Sequence, residues 1–132
     1  MSKLLLDTNI IIDYLRGYRP ARTFLEKLSG TGGLMISVVT SMELYAGKSM
    51  DDPIVQTKVD DLLAHFTIIP LTPMLAGRAG ELLRHHRTRG LSPLEAIIAV
   101  TALDSGASLI TRNIKHYQAV EGLLVFELPD VE

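Results

Sequence analysis

The chain has 132 residues, of which 47% are hydrophobic, and thirteen basic against fifteen acidic residues give a net charge of −2. This length and apolar content predict a single domain over residues 1–132 with a sizeable core, and the acidic balance counts against a generally basic nucleic-acid binder. The absence of cysteine excludes disulfides, zinc–thiolate sites and thiol nucleophiles. No stretch approaches the roughly 20 apolar residues of a membrane span, so the sequence predicts a soluble, cytoplasmic protein.

Strand-like and helix-like segments alternate along the chain. Apolar, often β-branched runs predict strands at Lys3–Leu6, Leu34–Val39, Phe66–Leu71, Ser108–Thr111 and Leu124–Leu128. Helical spacing and capping residues predict helices at Thr8–Arg16, Ala21–Leu28, Thr40–Gly47, from Asp52-Pro53 through Leu63, Pro73–Arg89, from Ser92-Pro93 to a left-handed cap at Gly106, and Ile114–Gln118. Pro70 weakens the third strand, which suits the edge of a sheet. The alternation predicts an α/β fold whose mostly parallel sheet of four to five strands is flanked by helices on both faces.

Polar residues directly follow three of the predicted strands. They form the segments Asp7-Thr8-Asn9, Thr40 to Glu43, and Thr111-Arg112-Asn113. Because ligands of open parallel sheets bind beyond the carboxyl ends of the strands, these segments are expected to border one crevice.

Asp7 ends a run of three leucines and is followed by further isoleucines. A carboxylate in such surroundings is costly to bury unless something compensates its charge. One interpretation is an N-cap, in which the carboxylate accepts a hydrogen bond from the next helical turn. The other is a ligand of a hard cation, Mg²⁺ or Mn²⁺, at a strand end. The two interpretations are compatible.

Glu43 and Glu95 end the tetrapeptides TSME and SPLE, which both fit the capping box of a helix start. As caps the two glutamates would be structural, whereas with Asp7 they would place three acids around the crevice. Glutamine can fill the same capping position but carries no charge. Glu→Gln at either position is therefore expected to leave stability nearly intact while abolishing a metal-dependent activity.

Four segments in order, LLLDTNIIIDYL, SVVTSMELYAG, LEAIIAVTAL and LITRNIKHY, resemble the PIN-domain ribonucleases and, more narrowly, the VapC toxins of toxin–antitoxin pairs. The resemblance extends from about residue 4 to residue 128. It implies a single PIN-like domain that acts as a metal-dependent endoribonuclease, hydrolysing phosphodiester bonds in RNA such as tRNA. It also implies a homodimer and a cognate antitoxin that inserts residues into the site.

The resemblance also implies roles for individual residues. Asp7 and Glu43 take the first two acidic positions, and Glu95 stands where the family more often has aspartate. Asn113 takes a fourth position, which other PIN domains fill with aspartate, and a nearby acidic position is here His116. The expected catalytic residues are thus Asp7, Glu43, Glu95 and Asn113, the three acids being the ligands of Mg²⁺ or Mn²⁺.

Supporting residues are expected around these acids. Thr8 and Thr111 would supply hydrogen bonds. Contacts to RNA phosphates are expected from basic side chains, namely Arg84, Arg87, Arg89, Arg112 and Lys115. Cations near a helix C-terminus also favour the helix dipole and usually face water, which is the structural alternative for the run that begins at Arg84.

Two other functions stay open on the sequence. The first is a non-catalytic interaction module, in which the same acids serve as caps and the protein works through its apolar surface. The second is a phosphatase with Asp7 as the nucleophile, but that chemistry generally uses a second aspartate two residues on, where this chain has Asn9.

Overall fold

The computed structural model describes residues 3–28, 32–86 and 90–128. The strands are β1 (Leu4–Leu6), β2 (Leu34–Ser37), β3 (Thr67–Ile69), β4 (Ser108–Ile110) and β5 (Val125–Phe126). The helices are α1 (Thr8–Leu15), α2 (Arg19–Leu28), α3 (Val38–Tyr45), α4 (Pro53–Leu63), α5 (Pro73–His86), α6 (Pro93–Ser105) and α7 (Ile114–Tyr117), and a 3₁₀ turn at Lys48–Asp51 precedes α4. The predicted order of elements is confirmed.

The strands form one sheet in the order β3-β2-β1-β4-β5, and the pairings are all parallel. Strand β1 is central, since Leu5 pairs with Met35 on one side and with Leu109 on the other. Strand β3, which directly precedes Pro70, lies at an edge as predicted. Because the strands are parallel, their carboxyl ends all meet at one edge of the sheet.

Both faces of the sheet are covered by apolar packing. Along β1 the side chains alternate, so Leu5 joins a cluster with residues of α5 and α6 while Leu6 joins a cluster with residues of α1, α2 and α4. Strands buried on both faces have continuous apolar sequences. This explains why the runs before Asp7 and before Thr111 contain no charged residue.

The boundary between β2 and α3 differs from the prediction, which continued the strand to Val39 and began the helix at Thr40. The strand ends at Ser37, whose hydroxyl accepts a hydrogen bond from the Val39 amide at 3.2 Å and caps a helix that begins at Val38. The two valines favour a strand by propensity, but the serine cap outweighs this local preference. Thr40 therefore lies inside α3 and does not cap it.

The predicted end of α6 is confirmed, because Gly106 has a φ of +66° and closes the helix in the left-handed conformation that glycine adopts without strain. Helix α5 extends to His86 in the structure, and its predicted continuation to Arg89 lies outside the described residues. In the described parts of the chain, none of the helices has the length and apolar character needed to cross a bilayer.

Candidate active site

The candidate site lies at the carboxyl edge of the sheet, where Asp7 follows β1 and Thr111 follows β4. Asp7 is 5% exposed, and both of its carboxylate oxygens accept hydrogen bonds. Oδ1 accepts from the Thr8 amide at 2.8 Å. Oδ2 accepts from the Thr111 hydroxyl at 2.7 Å, the Tyr117 hydroxyl at 3.0 Å and the Asn9 amide group at 3.4 Å. The aspartate caps α1 as one interpretation predicted.

The groups that hydrogen-bond to Asp7 are uncharged. Burial raises the pKa of its carboxyl group above the ordinary 3.8, against the lowering effect of the hydrogen bonds from Thr111 and Tyr117, and the negative charge of Glu95 raises it further. No basic side chain in the described ranges forms an ion pair with this carboxylate. The carboxylate is thus buried without a basic partner, and a bound metal ion would offset the free-energy cost of burying its negative charge.

Glu43 is tied to the residue next to Asp7. The Thr8 hydroxyl donates to Glu43 Oε1 at 2.6 Å and lies 3.0 Å from the Thr40 hydroxyl. The predicted capping box that ends at Glu43 is wrong, because Ser37 caps α3 and Glu43 lies in the interior of that helix. The capping explanation for this glutamate is therefore removed, and its bond with Thr8 at the carboxyl edge of the sheet is what remains.

Glu95 has a confirmed structural role. Its Oε1 accepts from the Ser92 amide at 3.0 Å while its own amide donates to the Ser92 hydroxyl at 3.2 Å, which completes the capping box of α6. Its Oε2 lies 2.7 Å from Nδ1 of His116. Both oxygens are therefore engaged by the protein, although the charge of Glu95 still reaches Asp7.

The three acids share a neighbourhood without meeting at one point. Across residues 3–28, 32–86 and 90–128, no group of three acidic or histidine side chains converges closely enough to hold a metal ion directly. The oxygen-only donors nevertheless suit Mg²⁺ or Mn²⁺, since Mg²⁺ keeps several waters and is commonly held by one or two carboxylates. The residues fit a cation bound directly by Asp7. Glu43 and Glu95 would contact it through water, or directly after breaking their present hydrogen bonds.

The segment after β4 divides into a buried and an exposed part. Thr111 is buried and its hydroxyl donates to Asp7 Oδ2, and the same hydroxyl accepts from the Asn113 amide at 3.0 Å. The Asn113 residue is exposed and its side chain makes no capping bond to α7. The structure thus brings Thr111 to the acids, whereas it shows no contact between the Asn113 side chain and Asp7.

Arg112 is held against α1 by two residues one turn apart. Its backbone amide donates to Asn9 Oδ1 at 3.2 Å, and its Nε lies 2.8 Å from Oδ2 of the buried Asp13. About half of the Arg112 side chain stays exposed. Of the other predicted phosphate contacts, Arg84 and Lys115 are exposed on α5 and α7, and Arg87 and Arg89 lie outside the described residues.

Two residues of this neighbourhood, Tyr117 and Asp13, were not predicted from the sequence. The Tyr117 hydroxyl reaches Asp7 across 110 positions of sequence, and the buried Asp13 pairs with Arg112 across the end of α1. Asp13 could have been noticed as the second acid inside the apolar run IIIDYL. Nothing local distinguishes Tyr117 from an ordinary core aromatic residue.

Comparison with known proteins matches this arrangement to one family. The PIN domain model matches residues 4–122. The chain is 35% identical to Ribonuclease VapC10 of Mycobacterium tuberculosis over 124 residues, covering 91% of this chain and 90% of that protein. It is 29% identical to Ribonuclease VapC1 of Methanocaldococcus jannaschii over 131 residues, covering 96% and 88%.

Solved structures give the same result. The fold is similar to a chain of a toxin–antitoxin complex from Klebsiella pneumoniae, with a TM-score of 0.80, 29% identity and coverage of 98% of this chain and 100% of that chain. It is also similar to VapBC2 from Rickettsia felis bound to a promoter DNA fragment, with a TM-score of 0.82, 26% identity and coverage of 96% and 98%. The chain therefore belongs to the PIN-domain family and, within it, to the VapC group.

Proposed function

We propose that this protein is a metal-dependent endoribonuclease toxin that hydrolyses phosphodiester bonds in RNA and is neutralised by a cognate antitoxin. The observation that carries the proposal is Asp7, a buried carboxylate at the carboxyl edge of the sheet that is surrounded by neutral donors and has two further acids in its neighbourhood. The relatives named ribonucleases support the activity, and the solved toxin–antitoxin complexes support the partner. A cytoplasmic location and a homodimer belong to the same proposal.

The chain's own residues divide the proposed work. Asp7 binds the cation, and Thr111 and Tyr117 hold its carboxylate in place. A divalent ion held by Asp7 would supply polarisation of the scissile phosphate and a lowered pKa for the attacking water. Glu43 or Glu95 orients that water or accepts its proton.

Basic side chains near the acids would steer the RNA backbone. Arg112 is adjacent to Thr111, and its Nε lies 2.8 Å from Asp13 Oδ2 while half of the side chain is exposed. Gly90 follows the basic run 84–89 directly, and a Cβ placed on it would lie 3.8 Å from the ring of His116, the partner of Glu95. Gly90 thus lies on the Glu95 side of the site.

The proposal predicts a strict metal requirement. Purified protein is expected to cleave labelled single-stranded RNA or bulk tRNA in Mg²⁺ or Mn²⁺, to lose this activity in EDTA, and to regain it when excess metal is added. Gel analysis of the products measures the effect. Cleavage that persists in EDTA would contradict the metal mechanism, whereas absence of both cleavage and metal binding would favour the non-catalytic interaction module.

We place the antitoxin contact in a groove beside the acids. The groove has a volume of about 320 Å³ and runs between α1, α3 and α4. Its lining is mainly apolar, with Glu43 at one side, and comprises Ile12, Leu15, Arg16, Glu43, Leu44, Gly47, Ser49, Met50, Val55, Lys58 and Val59. This surface fits an antitoxin segment with apolar side chains and one basic side chain that reaches Glu43, which would neutralise an acid of the site.

A pair of neighbouring substitutions tests the groove. Val55→Glu is expected to weaken antitoxin binding by about 2 kcal/mol, roughly thirtyfold, because it replaces an apolar contact with a charged side chain that must be desolvated under the partner. Ile54→Glu is the matched control, since Ile54 is 69% exposed and does not line the groove. Growth of cells that co-express each variant with the cognate antitoxin measures the effect, and equal rescue of both variants would exclude the groove.

A further inference from the structure

Tyr117 is a core residue whose hydroxyl points at a carboxylate. The residue is fully buried, and its ring belongs to the apolar cluster that contains Leu5 and Leu109. The hydroxyl donates to Asp7 Oδ2 at 3.0 Å. A phenolic hydroxyl carries the proton and an ionised carboxylate only accepts, so Tyr117 is the donor of this bond.

The two carboxylate oxygens of Asp7 accept different numbers of hydrogen bonds. Each carboxylate oxygen offers two lone pairs. Oδ2 accepts two well-formed bonds from Thr111 and Tyr117 and a third, longer one from Asn9. Among the described residues, Oδ1 accepts only from the Thr8 amide. Oδ2 is thus saturated, and Oδ1 keeps one lone pair.

We propose that Tyr117 is a positioning residue that, together with Thr111, reserves Oδ2 of Asp7 for the protein and leaves Oδ1 to bind the divalent cation. The inference rests on the proposed metal-dependent function. A ligand held by outer hydrogen bonds binds its metal more tightly than one free to turn, and removing such a partner commonly costs 10–100-fold in metal affinity. In this chain the donor comes from α7, the helix whose His116 also contacts Glu95.

The competing explanation is that Tyr117 only fills the core. A phenylalanine would fill the same volume, so Tyr117→Phe removes the donor and keeps the packing. Tyr45→Phe is the matched control, because the Tyr45 hydroxyl also donates to a carboxylate, that of Asp60, but at the exposed contact of α3 with α4.

The test measures Mn²⁺ binding to the RNA-free protein by titration calorimetry or by electron paramagnetic resonance of the unbound ion. Tyr117→Phe is expected to weaken Mn²⁺ binding about tenfold, while Tyr45→Phe binds as the wild type does. The thermal unfolding midpoint of each variant shows whether the fold is intact. Excess Mn²⁺ is then expected to restore RNA cleavage by Tyr117→Phe, since the acid itself is still present.

The outcomes separate this inference from the proposed function. If the wild type binds Mn²⁺ and Tyr117→Phe binds it less than threefold more weakly, the inference about Tyr117 is wrong while the proposed function stands. Wild-type protein that binds no Mn²⁺ overturns both the metal centre and the inference. If Tyr117→Phe does not fold, Thr111→Val removes the other donor to Oδ2, with Thr111→Ser as its control, and the same weakening is expected.

Discussion

Asp7→Asn is expected to reduce RNA cleavage at least about a hundredfold while making the metal-free protein more stable near pH 7. The loss of activity follows from the loss of the direct metal ligand. Removing a ligand should lower metal affinity at least as much as removing a residue that only hydrogen-bonds to it. The hydrogen bonds can survive, because the hydroxyl groups of Thr111 and Tyr117 can rotate and accept from the new amide.

The gain in stability follows from the pKa of Asp7. Burial raises this pKa in the folded protein above the unfolded value of 3.8, so the folded state binds a proton at a higher pH than the unfolded state does. The wild type therefore loses stability as the pH rises through this range and recovers it as the pH falls. The stability advantage of Asp7→Asn should be present at neutral pH and shrink toward pH 4.

Thermal unfolding of the two proteins in EDTA, between pH 4 and pH 7.5, measures this difference beside the RNA assay. Addition of Mn²⁺ should raise the unfolding midpoint of the wild type but not that of Asp7→Asn. An Asp7→Asn variant that cleaves RNA normally, or one that is less stable than the wild type at pH 7 in EDTA, would contradict the role assigned to Asp7.

Glu43→Gln is expected to have the second largest effect, a loss of about 10–100-fold in Mn²⁺ affinity and RNA cleavage with little change in stability. The glutamine oxygen can still accept the bond from the Thr8 hydroxyl, and Ser37 rather than Glu43 caps the helix. The substitution thus removes the charge while the local contacts remain.

Glu95→Gln and Glu81→Gln complete this comparison. Glutamine can keep the capping box with Ser92. Glu95→Gln should therefore also lower RNA cleavage while leaving the free energy of unfolding nearly unchanged. Glu81 is exposed on α5, and its substitution controls for the loss of one negative charge. RNA cleavage, Mn²⁺ titration and urea unfolding measure the three variants. Parallel losses of stability and activity in Glu43→Gln would mean that the residue is structural.

The sequence was sufficient where the signal is local. The apolar runs located the strands, Pro70 placed β3 at the edge, and Gly106 marked the end of α6. Ser92 and Glu95 formed the capping box that their spacing predicts. Asp7 at a strand end was found for the same reason, because a charged residue that ends an apolar run is visible without knowledge of the fold.

The sequence could not predict the structure correctly where two local signals compete, or where a residue contacts another that is far away in the chain. Ser37 and Thr40 are both good caps, and valine propensity favoured the later one, which misplaced the start of α3. The bond from Tyr117 to Asp7 depends on how α7 packs under the sheet edge. Such contacts follow from the complete topology, and no pattern within a short window contains them.

The central place of β1 also determines when the site can exist. This strand is synthesised first, but its neighbour β4 and the two hydroxyl donors for Asp7 lie more than 100 residues later in the chain. A nascent chain on the ribosome therefore carries Asp7 long before it can orient it, and long-range parallel pairing is intrinsically slow to form. A protein of this topology has no ordered site until β4 and α7 have left the ribosome and packed against β1.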